Sequence, residues 1–562
     1  MIDRLYDAIH EDAPKINKAV VDGIAYHDVR MSKQYIEKII RCAEQQYPSG
    51  LVFVGSKRCD PYEEYRVVTH NPKKNKKSNN RVFDLAHSSV VLHRYDFTYH
   101  GEPLDPQYLY LPYVKKGGLI DIGGKQFSIS PVLADRLFSV GINDIFIPMP
   151  RGKVTFNYEV HSFAIGGRPL ENGQVVDALR VSKPVAWSLL HNRSARKNKQ
   201  ARSTMIHLNR VNSTLMHYLL CKHGFEETFR RYGDTEVLVM PDSEATLENY
   251  PEDKWVICRS TKMRPAASKV QARDYWQIAS KVSLVIPIEK FTPMVQYMVS
   301  GFYYIVDHLP DSMEVDYVHM SWQWKVLLGY ILFGDESSQG KLVEDVETHL
   351  KSLDGYVDLD VTENLRQEGI DCHDIYDLFG YIIENMPTML QNNSGKVGSM
   401  YDKQLMVLRY VLKDINNAVF EFLFKLTSNS KKVMTRQEIN KLLAAHFRVR
   451  QILRLNSGKG HGEISSVSCP NDNMFFKITS NVVHQSDTAG KGKGRETKPI
   501  DETMHLDASF AEAGGYGVLP KSSPIGNNRL NIHIALGPYN RIVRKEKFVE
   551  LIEGVQERIK RT

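Results

Sequence analysis

The chain has 562 residues, with 42% hydrophobic and 25% charged side chains, 36 glycines and 24 prolines. That balance excludes a collagen-like or wholly disordered polypeptide, and the length suits roughly three to five lobes. Net charge is +7, unevenly spread: residues 301–430 hold 9 basic against 21 acidic side chains, residues 431–562 hold 22 against 13, and residues 1–300 hold 42 against 32. A polyanion is steered toward the flanks and repelled by the middle, although windows this large also fluctuate at random.

In chain order, residues 1–46 read as two amphipathic helices, with Ile9, Ile16 and Val20 at helical spacing. From Leu51 the pattern turns to short strands rich in Val, Tyr and Phe. Asn71–Asn80 (NPKKNKKSNN) reads as an exposed basic tip, either a solubilising loop or a phosphate contact. Strands are expected at Val82–Leu85 and Ser88–Tyr95. A further pair, Gln107–Val114 and Leu119–Ile122, is joined by a Lys-Lys-Gly-Gly turn, and Phe127–Pro131 extends the sheet. A second basic run, His191–Ser203, precedes a helix near Asn209–Cys221. The acidic block is expected to alternate strands with helices such as Trp322–Phe333 and Ile375–Asn385. Gln391–Ser399 reads as a linker. Gln404–Lys425 follows as a long helix, and Arg436–Leu455 as another, with Thr435 and Glu438 forming a capping box. Gly, Ser, Asn and Lys dominate from Leu455 to about Gly537, and Arg541–Arg561 closes the chain as an amphipathic helix.

Several chemistries fail on spacing. Gly117–Phe127 (GGLIDIGGKQF) has Gln126 where a phosphate loop needs Ser or Thr, and Leu119 where it needs Gly. Asp354, Asp358 and Asp360 (DGYVDLD) lack the Gly and final Glu of an EF-hand, which leaves a solvated acidic face as the alternative to a metal site. The six cysteines form no C-x-x-C pair, so neither a disulfide framework nor a zinc knuckle is expected, and a reducing compartment fits. The first residues lack a secretory apolar core. The most apolar stretch, Trp324–Gly334, is too short to span a bilayer and contains Lys325. A soluble, intracellular chain that engages no membrane is predicted.

Two stretches carry a positive signal. Gly490–Arg495 (GKGKGR) sets Lys491, Lys493 and Arg495 on a glycine backbone, suited to phosphate or a nucleic-acid strand, or else to a plain surface loop. Gly514–Asn531 follows, with Pro520, Pro524 and four glycines making a rigid, irregular path that ends in Asn527, Asn528 and Arg529. Their order resembles the fork region of the second-largest subunit of multisubunit RNA polymerases. There, a Gly-rich basic loop precedes a pattern like H-x-x-x-x-G-x-x-C-P-x-E-T-P-E-G-x-x-x-G-L. Gly517, Pro520, Ser523-Pro524 and Gly526 stand for its Gly, first Pro, Thr-Pro and Gly, while Lys521 replaces an acidic residue. Upstream, Val82–Leu104 and Gln107–Arg136 resemble strands of the protrusion in the same family. The helices after Gln404 fall where that family's chain returns from lobe to protrusion.

The resemblance implies an α+β multidomain chain with protrusion (1–150), lobe (151–390), returning protrusion helices (391–465), fork (466–540) and a C-terminal helix (541–562). The end of the sequence soon after the fork is similar to the split subunits of giant, phiKZ-like phage polymerases, of the non-virion type in preference to the virion type. This chain would then be the N-terminal half of a β-like subunit. Nucleic acid would meet Lys491, Lys493, Arg495, Lys521, Asn527, Asn528 and Arg529. Phe548, Leu551, Ile552, Val555 and Ile559, at three- and four-residue spacing, would face another subunit. The implied partners are a β-like C-terminal chain, β′-like N- and C-terminal chains, a promoter-recognition subunit, DNA template and RNA transcript. No catalytic or metal-binding residue is expected in this chain; Mg²⁺ is expected on a β′-like partner. The implied location is the cytoplasm of an infected bacterium, or a phage-formed compartment within it. A virion structural or packaging protein with basic arms, and a free-standing nucleic-acid-binding protein, are the rival readings.

Overall fold

The computed structural model describes most of residues 33–69, 89–190, 211–260, 282–392, 399–406 and 434–446, and short stretches elsewhere up to residue 544. The basic tip, the second basic run, the first expected helix and the strand at Val82–Leu85 lie outside the described residues. Tyr35, Ile36, Ile39 and Ile40 are buried at helical spacing, which makes Lys33–Cys42 an amphipathic helix, α1. Its buried face lies on strand β1 (Leu51–Arg58): the Arg41 guanidinium sits 5.1 Å from the centre of the Phe53 ring. Along β1, Leu51 and Phe53 are buried while Val52 and Val54 face solvent, the period-two alternation of a half-covered strand. A short helix, α2 (Pro61–Thr69), precedes β2 (Val90–Tyr99). Strand β2 pairs antiparallel with β1, with a bulge at Val54, and with β3 (Glu102–Pro103) and β4 (Gln107–Pro112).

The turn at Lys115–Gly118 forms as expected, with Gly118 N–H donating to the Lys115 carbonyl at 3.0 Å, but it does not join a hairpin pair. Strand β4 pairs with β2, whereas β5 (Leu119–Ile122) folds onto β6 (Lys125–Ile129) across Gly124 at φ +79°. A glycine that adopts a left-handed conformation without steric penalty makes the tighter reversal. Val132–Asp135 forms β7.

The chain forms two compact units, residues 137–394 and, around them in sequence, residues 1–136 with 395–562. The central unit begins before the expected boundary at 150, which would cut a hairpin: β9 (Asp144–Met149) pairs with β10 (Gly152–Pro169) from Met149↔Gly152 onward, and β8 (Ser139–Val140) pairs with β9. Strand β11 (Val175–Ser188) runs along the other edge of β10, and β13 (Trp255–Ser260) joins β10 beside β9. Strands β16 (Ser283–Pro287) and β12 (Leu238–Met240) complete a seven-stranded antiparallel sheet, and β14 (Met263–Pro265) and β15 (Tyr275–Gln277) form a separate two-stranded ladder.

The helices of this unit share one core with the sheet. They are α3 (Leu215–His223), α4 (Phe225–Gly233), α5 (Pro293–His308), α6 (Val315–Val318), α7 (Ser321–Phe333), α8 (Gln339–Leu353), α9 (Leu359–Gln367) and α10 (Ile375–Asn392). The acidic block therefore differs from the expected alternation: from 293 to 392 every described regular element is helical. Leu342, Val346, Leu350 and Leu353 are buried at helical spacing, and α7 is apolar on nearly all sides because it is enclosed. The helices expected at Trp322–Phe333 and Ile375–Asn385 form, as α7 and within α10, while α8 and α9 lie between them where strands are expected. Helix α5 packs closely on α3 at Gly301, where a Cβ would lie 2.8 Å from that of Met216.

One buried ion pair ties the sheet to its covering loop. Arg259, fully buried on β13, donates to the Asp242 carboxylate at 2.8 Å, to the Gly166 carbonyl at 3.0 Å and to the carbonyls of Gly167 and Ala245. Gly166 and Gly167 have φ +68° and +83°, and this left-handed bend in β10 presents both carbonyls to the guanidinium.

The return of the chain differs from the expected long helix: Lys403–Met406 is a strand, β17, paired with β7. Of the remainder of Gln404–Lys425, only Val419, Glu421, Phe422 and Lys425 are described, and they are helical. The capping box forms as read: Thr435 N–H donates to Glu438 Oε2 at 2.9 Å and Glu438 N–H to Thr435 Oγ1 at 3.3 Å, opening α11 (Arg436–His446). Strand β18 (Ile464–Ser466) adds to β6. Strands β19 (Val482–Gln485) and β20 (Asn527–Arg529) follow, then β21 (Ala535–Leu536) and β22 (Ile542–Val543), which pair with each other. The expected terminal helix therefore cannot start at Arg541; Phe548, Leu551, Ile552, Val555 and Ile559 lie outside the described residues.

All five tryptophans (187, 255, 276, 322 and 324) belong to the central unit, so fluorescence reports its unfolding. Arg259→Leu leaves the Asp242 charge buried and is expected to destabilise this unit by about 3–5 kcal/mol, with Arg259→Leu/Asp242→Leu costing less than the two singles summed. Urea titrations of the four species check it. His217 on α3 is fully buried and donates from Nε2 to the Trp324 carbonyl at 2.9 Å. Burial disfavours its charged form and pushes its pKa down to about 4, below the ordinary 6.5. The unfolded chain thus takes the proton first, so this contribution is complete above pH 6.5 and is lost as pH falls toward 4, roughly 3 kcal/mol in all. His217→Gln should remove that share of the acid sensitivity in parallel urea titrations.

Candidate functional site

The residues singled out for nucleic acid belong to the outer unit, where a four-stranded sheet gathers distant parts of the chain. Strand β7 lies between β17 and β19, and β20 pairs with β19 at the end of that order. Lys403 faces Asp135 across the β7–β17 pair, so the chain leaves for the central unit and returns from it side by side. His484 is parallel-paired with Val132, and Asn527 faces His484 across β19–β20. The two ends of segment 486–526 are thereby held on neighbouring strands. Lys491, Lys493, Arg495 and Lys521 fall within that segment, outside the described residues.

Asn527, Asn528 and Arg529 are brought to this base, but in a conformation other than the one expected. They form β20, with Arg529, Asn528 and Asn527 opposite Val482, Val483 and His484. Ladder pairing uses backbone groups that an irregular path would have turned toward a ligand. Two prolines and four glycines predict irregularity as far as Gly526; the three residues after it carry neither type and are free to extend.

The central unit holds a cluster that the sequence gives no means of assembling. His161 on β10 lies 2.9 Å through Nε2 from Asp307 Oδ2 on α5, and Ser260 on β13 donates to the other oxygen of the same carboxylate. All three side chains meet at Asp307. A Ser-His-Asp relay needs the serine on the histidine, and here Ser260 turns to the aspartate and is buried. The cluster joins sheet to helix; Ser300 adds to the same seam by hydrogen-bonding the His161 and Lys183 carbonyls at 3.2 Å.

Two members of the acidic triplet likewise do structural tasks. Asp358 caps α9, accepting from Val361 N–H at 2.9 Å, and Asp354 faces Lys222 at 3.6 Å, with burial raising its carboxyl pKa. A carboxylate engaged as a helix cap and another paired with a lysine do not fit a Mg²⁺ site. Among the described residues no group of three or more His, Cys, Asp or Glu is arranged to hold a metal. Cys59, Cys221, Cys258 and Cys372 are free and buried, and burial pushes the Cys59 and Cys372 thiols up to about 12, away from reactive thiolate. No helix among the described residues is long and apolar enough to cross a membrane.

Among curated proteins, none matches this sequence. Residues 2–553 match the family described as non-virion RNA polymerase subunit, a span that covers the central unit and nearly all of the outer one. Such a subunit works in transcription, with other subunits and a nucleic-acid template. The match runs along almost the whole chain, and the chain belongs to the family of non-virion RNA polymerase subunits.

Proposed function

We propose that this chain is the N-terminal half of a β-like subunit, and that it shapes the DNA cleft and the downstream fork of a phage polymerase. The observation that carries this reading is the interruption of one compact unit by another. In the resembled subunit the lobe interrupts the protrusion in the same way, and the fork follows the return. A second support is the base formed by β19 and β20, which anchors both ends of the segment bearing Lys491, Lys493 and Arg495. Three cations on a glycine backbone neutralise phosphates without selecting sequence, as a loop at strand separation requires. Nucleotidyl transfer by two Mg²⁺ ions is assigned to a β′-like partner, because Asp358 of this chain's acidic triplet caps a helix and Asp354 pairs with a lysine.

Two outcomes follow. The purified chain should make no RNA from any template with Mg²⁺ and nucleotides, and synthesis should appear only in the assembled enzyme; activity of the pure chain contradicts the proposal. In the assembled enzyme, replacing Lys491, Lys493 and Arg495 by Ala should reduce the salt slope of DNA binding by about one per lost phosphate contact. Promoter opening should then collapse at lower salt than in the parent, as read by permanganate footprinting. Unchanged opening in a fully assembled triple variant removes the fork assignment.

A further inference from the structure

The turn between α6 and α7, in the central unit, is pinned from below and apolar above. Trp324 is fully buried, and its indole N–H donates to the Val318 carbonyl at 2.8 Å. Met320 N–H donates to the Tyr317 carbonyl and Gln323 N–H to the Met320 carbonyl, each at 3.0 Å, which closes the turn. Above this base, Tyr317, Met320 and Trp322 are 37%, 39% and 43% exposed, and the Tyr317 and Trp322 ring centres lie 6.4 Å apart. A single exposed apolar side chain needs no explanation; three large ones within one turn, on a backbone fixed by packing and hydrogen bonds, mark an interaction surface. The charge beside them is acidic. Asp316, next to Tyr317, is exposed and makes no ion pair among the described residues. Glu226 Oε1, on α4, lies 3.0 Å from Nδ1 of His319, whose ring packs edge-on against Phe225 at 5.9 Å. The lysine that follows, Lys325, is turned to Glu347 at 3.0 Å.

We propose that Tyr317, Met320 and Trp322, with Asp316 and Glu226 at their rim, dock a cationic segment of another polymerase subunit, and that an arginine of this segment stacks on Trp322. Trp, Tyr and Met are the side chains that anchor the buried centre of an interface, and Arg is their enriched counterpart. An indole offers the strongest π-face for a cation, and a planar guanidinium can stack on it while pairing with a nearby carboxylate. Nucleic acid is the poorer occupant, because its phosphates would meet Asp316 and Glu226. A second copy of this chain is poorer too, since a two-fold contact would set the same acidic rim against itself. The proposal rests on membership of a family of polymerase subunits; it needs neither the β-like assignment nor the segment 486–526.

The test uses the assembled enzyme. Trp322→p-benzoylphenylalanine is photolysed within it, and the attached peptide is identified by mass spectrometry. A segment of another subunit that contains Arg, and in which basic residues outnumber acidic ones, is expected. A link to nucleic acid, to an acidic segment or to this chain itself overturns the proposal, as does the absence of any link. Exchange gives a second reading, in which fluorescently labelled chain in the enzyme is displaced by excess unlabelled chain. Met320→Ala/Trp322→Ala should leave at least about fivefold faster than the parent, since lost interface contacts show chiefly in the dissociation rate. A smaller change, in a variant with the parent's circular dichroism, overturns the proposal. Asp316→Asn should flatten the salt dependence of exchange, because an exposed carboxylate facing a cation is screened by salt. An unchanged salt dependence overturns the cationic partner. None of these readings moves if the fork loop fails or if the partner chains prove not to be β-like.

Discussion

The pairing of β7 with β17 is the constraint on which the outer unit depends. Residues 132–135 and 403–406 are separated by the whole central unit, and their ladder brings the two halves of the outer unit together, as do the ion pair of Arg436 with Glu102 and the hydrogen bond from Tyr99 to the Met434 carbonyl. Once that pair exists, β19 can add to the free edge of β7 and β20 to β19, while β18 adds to β6 in a neighbouring sheet. Closing a long excursion costs entropy that grows only slowly with length, so a large inserted unit is tolerated provided the closing strands are specific. Leu405 and Gln404, both buried on β17, help to fix that register.

Within the central unit, contacts between sheet and helices are arranged around buried polar groups that are matched with partners. Arg259 binds the bend of β10 and the loop that carries Asp242, and Asp307 binds His161 and Ser260 from two different strands. Tyr303, from the same helix as Asp307, reaches the Cys258 carbonyl on β13 at 2.5 Å. Helix α5 is thus keyed to the sheet by directional bonds along its length as well as by apolar packing. Such networks specify one arrangement strongly, because each member left unpaired carries a desolvation penalty. The same economy accounts for why the titratable groups of this unit look like catalytic parts in composition but not in geometry.

Local signals were legible in the sequence and non-local ones were not. The Thr435–Glu438 capping box forms as its spacing says, and the alternation of β1 and the helix periodicity of α1 are visible residue by residue. The strand at Lys403–Met406 could not be read, since Leu405 and Leu408 also fit a helix stripe and the deciding partner, β7, lies far away in sequence. In the acidic block the helices expected at Trp322–Phe333 and Ile375–Asn385 form, and the difference lies in the strands expected to alternate with them, whose places are taken by the further helices α8 and α9. Asn527, Asn528 and Arg529, expected on an irregular path, form a strand, because the prolines and glycines that argue against one stop at Gly526. Membership of the family of non-virion RNA polymerase subunits rests on the match over residues 2–553.

The central claim is that this chain is one part of a divided β-like subunit, and native mass spectrometry of the complex purified through it tests that most directly. The account predicts one copy of this chain with one β-like C-terminal chain and the two β′-like chains in a single particle. A particle that lacks a separate β-like C-terminal chain, or in which this chain associates only with itself or with virion shell proteins, contradicts it.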